Sequence, residues 1–383
     1  MTPRALLSRA LPSRALLALT TTALVVAGLA GCGTAAVEEA EGDGSLIGVS
    51  LPNRATERWI ADGDTIKAFL EAQGYTVDLQ YASDDIPTQV TQVEAMINAG
   101  AEALIVAPID GTTLSGVLEP LAGTDFPVIA YDRLIRNSAE VDYFVTFDQS
   151  TVGQQQAWTF LEGLGLTTLD GTAVDTPPEG PFSIELFAGP VDDAESTVFF
   201  DGALAVLQPY LDAGTIVIGS GQSDLNAAST KGWDAAAAET RMTAILGEHY
   251  SADEQLHGVL SPLDSISRGI AAALTAAGHA PGEGWPVITG GGAELDSLKA
   301  ILAGEQYATI FTDTRELAEA AGNLAIAGLT GATPTVTDEE TYDNGVMIVP
   351  TLLLHSRPVT GDNLERVLVD SGYWAAEDLG LER

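Results

Sequence analysis

A single cysteine, Cys32, stands in 383 residues. Neither a disulfide framework nor a Cys-based zinc site is open to such a chain. Histidine is nearly as scarce. His249, His257, His279 and His355 are scattered without H-x-x-x-H or comparable ligand spacing, so no metal and no cofactor is expected. Positive charge is the third deficit: 16 Lys and Arg face 54 Asp and Glu, a formal net charge of −38. A phosphate backbone needs clustered cations, so nucleic acid is excluded as a partner and an anionic membrane surface is disfavoured. The acidity does not mean disorder. Charged residues make up only 18% and hydrophobic ones 46%, enough for one large or two medium domains.

Residues 1–31 contain no acid and three arginines, Arg4, Arg9 and Arg14, followed by an apolar run from Ala15 to Ala30. Basic start, apolar stretch and small residues at the end are the parts of a secretory signal peptide. The run is too short and too rich in Thr, Ala and Gly for a transmembrane helix. Cys32 directly follows Leu29-Ala30-Gly31, a string that resembles a bacterial lipobox, in which the cysteine is acylated and becomes the first residue. The alternative is a non-lipidated signal with an incidental cysteine. The chain from Cys32 onward keeps 13 Lys and Arg against 54 acids, a net of −41. Residues 32–45 are small, acidic and Gly-containing, as in a lipid-anchor tether. The expected location is the outer face of the cell membrane, held by lipid.

Beyond the tether, short β-rich runs recur at Leu46–Leu51, Tyr75–Ala82, Ala103–Ile109, Pro127–Asp132 and Tyr143–Asp148. Amphipathic stretches lie between the early ones, with Ile60, Ile66, Phe69 and Leu70 on one face of the first and Val90, Val93, Met96 and Ile97 on the second. A second series places strands at Phe182–Ala188, Thr215–Gly219, Gly258–Ser261, Val287–Thr289 and Tyr307–Thr312. Helices are expected at Ser196–Leu211, Ala227–Tyr250, Ser265–Ala277, Leu295–Ala303 and Arg315–Leu329, and a last strand within Val346–Leu354. Continuously apolar strands alternating with helices predict an α/β protein with two doubly wound parallel-sheet lobes. In open α/β sheets ligands sit at the carboxyl ends of the strands, so the residues after each strand carry the functional information.

Those positions hold Pro52-Asn53-Arg54 and Arg58-Trp59 in the first lobe, with Asp132-Arg133 after its fourth strand. The second lobe offers Asp192-Asp193-Ala194-Glu195, Gln222, Trp233, Leu263-Asp264 and Gly290–Gly292. Carboxylates and Arg make planar, bidentate hydrogen bonds to vicinal hydroxyls, and Trp covers the apolar face of a pyranose. Each has a plainer alternative. Asp132-Arg133 can be a local turn ion pair, Trp59 and Trp233 core aromatics, and Asp193 a helix cap that also faces the cleft. Asp84-Asp85 is expected to cap the helix near Pro87. The glycine run lacks the full G-x-G-x-x-G spacing and is no dinucleotide fingerprint.

From about Ile47 to Tyr373 the chain resembles the periplasmic-binding-protein type 1 superfamily, and within it the xylose-binding and multiple-monosaccharide-binding receptors of ABC transporters. The strings that carry the resemblance include ERWIADG (57–63), VIAYDRLI (128–135), TFDQSTVG (146–153), IELFAGPVDD (184–193) and TYDNGVMIVP (341–350). The resemblance implies two lobes joined by three hinge crossings, a first lobe of 46–147 plus 313–331 and a second of 148–312 plus 332–383. It implies ligand contacts from Arg58, Asp132, Arg133, Asp193 and Trp233, with Trp59, Asp264 and Glu195 as further contacts; Glu195 stands where relatives often have Asn. Gly292, Thr312 and Leu263 stand where relatives hold an Asp, a Lys and a polar or aromatic group. A coupled loss of the Asp and Lys charges would make that side of the pocket roomier and less polar. The implied function is capture of a monosaccharide by lobe closure and delivery to an ABC transporter permease, as a monomer and without a reaction. A sugar sensor presenting its closed form to a membrane histidine kinase or chemoreceptor is the alternative. A glycosidase with paired carboxylates fits less well, because the acids lie on separate lobes.

Overall fold

The computed structural model describes residues 44–381 apart from Thr56, Asp192 and residues 251–253. The expected signal segment, Cys32 and nearly all of the expected 32–45 tether lie outside the described residues.

The first lobe begins with β1 (Leu46–Leu51), α1 (Glu57–Ala72), β2 (Thr76–Tyr81), α2 (Ile86–Asn98), β3 (Ala103–Val106), α3 (Ser115–Leu118), β4 (Val128–Tyr131) and β5 (Tyr143–Phe147). β3 and β4 are buried at every residue, and β1 and β5 at all but their first. These strands are covered by helices on both sides, which is why they are continuously apolar. One face packs Ile47, Val49, Ile105 and Tyr131 against α1 and the later helix α10; the other packs Leu104, Val106, Val128 and Phe144 against α2 and α3. Asp85, not Asp84, caps α2 by accepting from Thr88 N at 2.9 Å. Asp84 instead accepts from Asn53 Nδ2.

The second lobe contains α4 (Gln149–Gly163), β6 (Phe182–Leu186), α5 (Ala194–Asp212), β7 (Ile216–Ile218), α6 (Leu225–Ala228), α7 (Ala235–His249), β8 (Gly258–Leu260), α8 (Asp264–Ala276), β9 (Val287–Ile288), α9 (Leu295–Ala303) and β10 (Ala308–Phe311). The chain then forms α10 (Thr314–Thr330), β11 (Thr351–Leu354) and β12 (Arg357–Thr360). The first sheet has the order β11-β5-β4-β3-β1-β2 and the second β7-β6-β8-β9, and every pairing in both is parallel. β10 continues the second sheet through a parallel bridge from Ile310 to Gly291 and pairs antiparallel with β12.

Three expectations need correction. β11 belongs to the first sheet, where Thr351–Leu354 aligns with Phe144–Phe147 of β5. The 332–383 segment is therefore divided between the lobes, and only β12 and the residues C-terminal to it lie with β10. Tyr342 packs edge-on against Phe144 at 5.3 Å, so the segment leading to β11 caps first-lobe core. The helix expected over Ala227–Tyr250 is broken. Ser229 bridges Ala188, Gly232 and Trp233 have positive φ, and Asp234 starts α7 afresh by capping Ala237 N. Helix α4 and strand β12 had no counterpart in the pattern of apolar runs.

The chain crosses between lobes three times, near Asp148, Asp313 and Ser356. Asp148 caps α4 through Thr151 N, and Asp313 caps α10 through Arg315 N. At the third crossing Ser356 Oγ donates to Gln155 Oε1 at 2.7 Å while Gln155 Nε2 donates to Ser356 O at 3.2 Å.

Helices α4 and α5 approach so closely that a Cβ on Gly153 would strike the backbone carbonyl of Phe199, and one on Gly202 that of Ser150. Gly153→Ala should therefore destabilise the protein by about 1–3 kcal/mol in urea unfolding, as overpacking against fixed backbone does. Gly247→Ala, on α7 with nothing within 4 Å of its Cβ, should stabilise by about 0.5–1 kcal/mol, the helix-propensity gain alone.

Candidate functional site

The carboxyl ends of the first sheet bring Arg58, Trp59, Asp132 and Arg133 together. Asp132 follows β4 with φ 63°, a left-handed conformation that a short polar side chain tolerates. Its amide donates to Val145 O at 2.9 Å, and Thr146 Oγ1 donates to its carbonyl at 3.2 Å. Thus anchored, its carboxylate accepts from Arg58 Nη2. The Asp132-Arg133 sequence is therefore not a turn ion pair. Burial opposes the Arg58 charge, but Asp132 and Asp62 outweigh it and raise the guanidinium pKa. Arg133 is exposed and has one long contact, Nη1 to Pro108 O at 3.5 Å. Both guanidiniums lie on the Trp59 ring, at 4.9 and 5.6 Å from its centroid, within cation–π range. Trp59 is 5% exposed. Its place is beneath the arginines, and it has little face left for a ligand.

In the second lobe Asp193 caps α5, its Oδ1 accepting from Glu195 N at 2.9 Å, while Oδ2 accepts from Trp233 Nε1 at 3.2 Å. The helix break at Ser229–Asp234 is what carries Trp233 there. Thr230 N donates to Ala188 O and Ser265 Oγ to Trp233 O, tying the break to the end of β6 and the start of α8. Gly189 makes room, since a Cβ on it would overlap the Trp233 ring and Ser196 Oγ. Glu195, in the first turn of α5, is partly buried. Burial, then Asp132 of the other lobe and Asp193, raise its carboxyl to about 8, against the pull of Arg58 and Arg133. These cross-lobe influences place Glu195 opposite the first-lobe cluster.

Asp264 departs from its expected role. It is fully buried, Oδ1 accepting from Gln306 Nε2 and Oδ2 from Glu294 N, both at 2.9 Å. Both oxygens are engaged in holding the loop after β9, and burial raises this carboxyl to about 7. The same loop explains the glycine run. A Cβ on Gly290 would overlap Asp264 Oδ1, one on Gly291 would lie 2.7 Å from Pro262 O, and Gly292 has φ 112°. At position 292 a Cβ would have room, and only the positive φ favours glycine there. Sequence reasoning also passed over Asp62, one helical turn from Arg58. Its i+4 spacing on α1 was a visible signal.

Glu195 gives a signed prediction. A folded-state pKa raised above the unfolded value means a contribution that is full below the unfolded pKa of about 4.3 and lost as pH rises through about 8. Glu195→Gln should accordingly melt a few degrees above the wild type in thermal unfolding just above pH 8, with the gap closing on acidification to below about pH 4.3. A lower melting temperature for the variant at the alkaline end would mean that the carboxylate is ionised and paired.

Comparison with known proteins agrees with this architecture. The periplasmic binding protein domain family matches residues 47–333. The chain is 46% identical over 338 residues to the multiple sugar-binding periplasmic receptor ChvE of Rhizobium radiobacter, covering 88% of this chain and 93% of the relative. Among solved structures, an ABC transporter solute-binding protein from Clostridium phytofermentans with bound β-D-glucose is 39% identical, with a TM-score of 0.76 and coverage of 88% of this chain and 100% of that one. A carbohydrate transporter solute-binding protein from Chloroflexus aurantiacus, in complex with D-glucose, is 32% identical, with a TM-score of 0.71 and coverage of 87% and 97%. With parallel lobes, crossing segments and these relatives in agreement, the chain belongs to the periplasmic binding protein family in its type 1 fold, a family of receptors and not of enzymes.

Proposed function

We propose that this protein is an extracytoplasmic receptor for an uncharged monosaccharide, which it captures by lobe closure and delivers to an ABC transporter permease. The observation that carries the reading is the opposition of two built clusters across the cleft, Arg58–Asp132 with Arg133 on one lobe and Asp193–Trp233 with Glu195 on the other. Glucose-bound structures among the relatives support the ligand class.

The mechanism is differential binding to two lobe arrangements. A ligand that contacts both lobes favours the closed form by the free energy of the contacts added on closure. Vicinal hydroxyls suit the Arg58–Asp132 pair, which presents a donor and an acceptor side by side. Trp233, its indole nitrogen pinned by Asp193, offers a ring face to the C–H side of a pyranose. Glu195, held neutral near physiological pH by burial and by Asp132 and Asp193, serves as a hydrogen-bond donor. A uronate in its neighbourhood would meet three acidic side chains.

Calorimetric titration with D-glucose, D-galactose and D-xylose tests the ligand class, with D-glucuronate expected to bind more weakly than glucose. Arg133→Ala should weaken binding of the preferred aldose by on the order of 2–5 kcal/mol, as loss of one partner in a desolvated charged contact does. Its melting temperature should barely move, since Arg133 has few protein contacts. Unchanged affinity would remove Arg133 from the site.

The same reading makes Cys32 the acylated first residue of the exported chain, because it is the sole thiol and follows the signal run. Two acyl chains suffice for stable anchoring where one is marginal. Cys32→Ser should move the protein from the membrane fraction to the soluble exported fraction; retention in the membrane would count against a lipid anchor.

A further inference from the structure

Arg58 is held on three sides. The Trp59 ring lies under its plane, Asp132 takes Nη2, and Asp62 Oδ2 lies 3.4 Å from Nε. Neither ion pair uses Nη1. Asp62 is only 1% exposed, whereas the Arg58 side chain remains 38% exposed. The carboxylate therefore approaches the guanidinium from inside the protein and leaves its outer edge open. A guanidinium with one carboxylate partner can still swing about that contact; a second negative charge beside a different edge restrains its orientation electrostatically.

Asp62 also lies near the interlobe connection, with neither carboxylate oxygen hydrogen-bonded. It faces Tyr131 at the end of β4 and Thr314, the first residue of α10 just past the second crossing. The Tyr373 hydroxyl, from the C-terminal segment, reaches the same Thr314. Its charged neighbours are Arg58 on its own helix and Asp132 after β4, with Tyr81 of β2 close by. The tyrosines here keep their protons, because burial raises all three phenols.

We infer that Asp62 is the positioning residue of the ligand site: it orients the Arg58 guanidinium for the ligand by pairing with it from a buried place beside the interlobe crossing. The inference rests on the reading of Arg58 as a ligand contact. Acid should undo this arrangement. Burial, reinforced by Asp132 and opposed by Arg58, raises the Asp62 carboxyl to about 6. Above that pH it is an anion paired with the guanidinium at Nε, an ion pair without a hydrogen bond. Below it the neutral acid no longer pairs, and ligand affinity falls.

The test titrates wild type and Asp62→Asn with D-glucose, D-galactose and D-xylose by calorimetry at intervals from about pH 8 down to about pH 5, a range that brackets the raised carboxyl. Wild type should lose about tenfold in affinity across a step near pH 6, equivalent to one charge-assisted contact. At about pH 7, below the Glu195 titration near 8 that both proteins share, Asp62→Asn, the isosteric copy of the neutral acid, should be about tenfold weaker and should show no step near pH 6. A purely structural role would shift the melting temperature without abolishing the step. Arg58→Lys, which lacks the Nε that Asp62 faces, should also lose the step, and it decides the matter should Asp62→Asn not fold. A folded Asp62→Asn with wild-type affinity and profile, or an Arg58→Lys protein that keeps the step, overturns the inference while leaving the sugar reading intact. Absence of wild-type binding to all three sugars overturns the sugar reading, and the inference with it.

Discussion

Parallel pairing is the constraint on which the rest of this structure depends. A parallel strand must be re-entered from the same end, so each connection crosses a face of the sheet and usually becomes a helix. Apart from the antiparallel β10–β12 pair, both sheets pair in parallel, so the carboxyl ends of each sheet gather at one edge. Arg58, Asp132 and Arg133 are neighbours for that reason, although 74 positions separate Arg58 from Asp132. The same topology brings the loops after β6 and before α7 together in the second lobe, where Asp193 meets Trp233 across 40 positions. The crossings at Asp148 and Asp313 run straight into capped helices, so each hinge strand ends in a rigid element.

Charge is used sparingly at this edge. The protein has few cations, and two of them sit on one tryptophan ring. Arg58 is balanced by two carboxylates, one deep and one at the cleft. A half-buried guanidinium with a single partner would be less well fixed. Glu195 lies within reach of the same field from the opposite lobe, where burial first and then Asp132 and Asp193 raise its pKa. A cleft of this balance suits hydroxyl groups, which can donate to the carboxylates and accept from the arginines, better than it suits an anion.

Backbone conformation at the strand ends does as much as side-chain chemistry. Asp132 and Trp233 both have positive φ, an unusual setting for non-glycine residues that is sustained by neighbouring hydrogen bonds. Each is thereby turned out of the direction its strand or helix would have given it. The loop after β9 shows the opposite solution. Packing against Asp264 and Pro262 admits only glycine at positions 290 and 291, and φ favours it at 292.

The sequence by itself determined the α/β class, most strands and the neighbourhood of the site, because strands buried on both faces must be continuously apolar and their ends must carry what a ligand meets. Arg58, Asp132, Arg133, Asp193 and Trp233 stood out at strand ends for this reason, and the structure gathers them into two clusters, one on each lobe. Other features were decided only by tertiary structure. Whether Thr351–Leu354 joins the first or second sheet depends on which edge strand lies open to it, and β5 did. The break before α7 depends on Ser229 and Thr230 docking on Ala188, a contact no local pattern encodes. Asp264 and Trp59 had the composition of ligand groups, but burial turned one into the anchor of a loop and the other into a platform for two arginines. Asp62 stood in plain view at helical spacing from Arg58. Only the packing of β4 and α10 over it made an ordinary surface-type acid into a buried one.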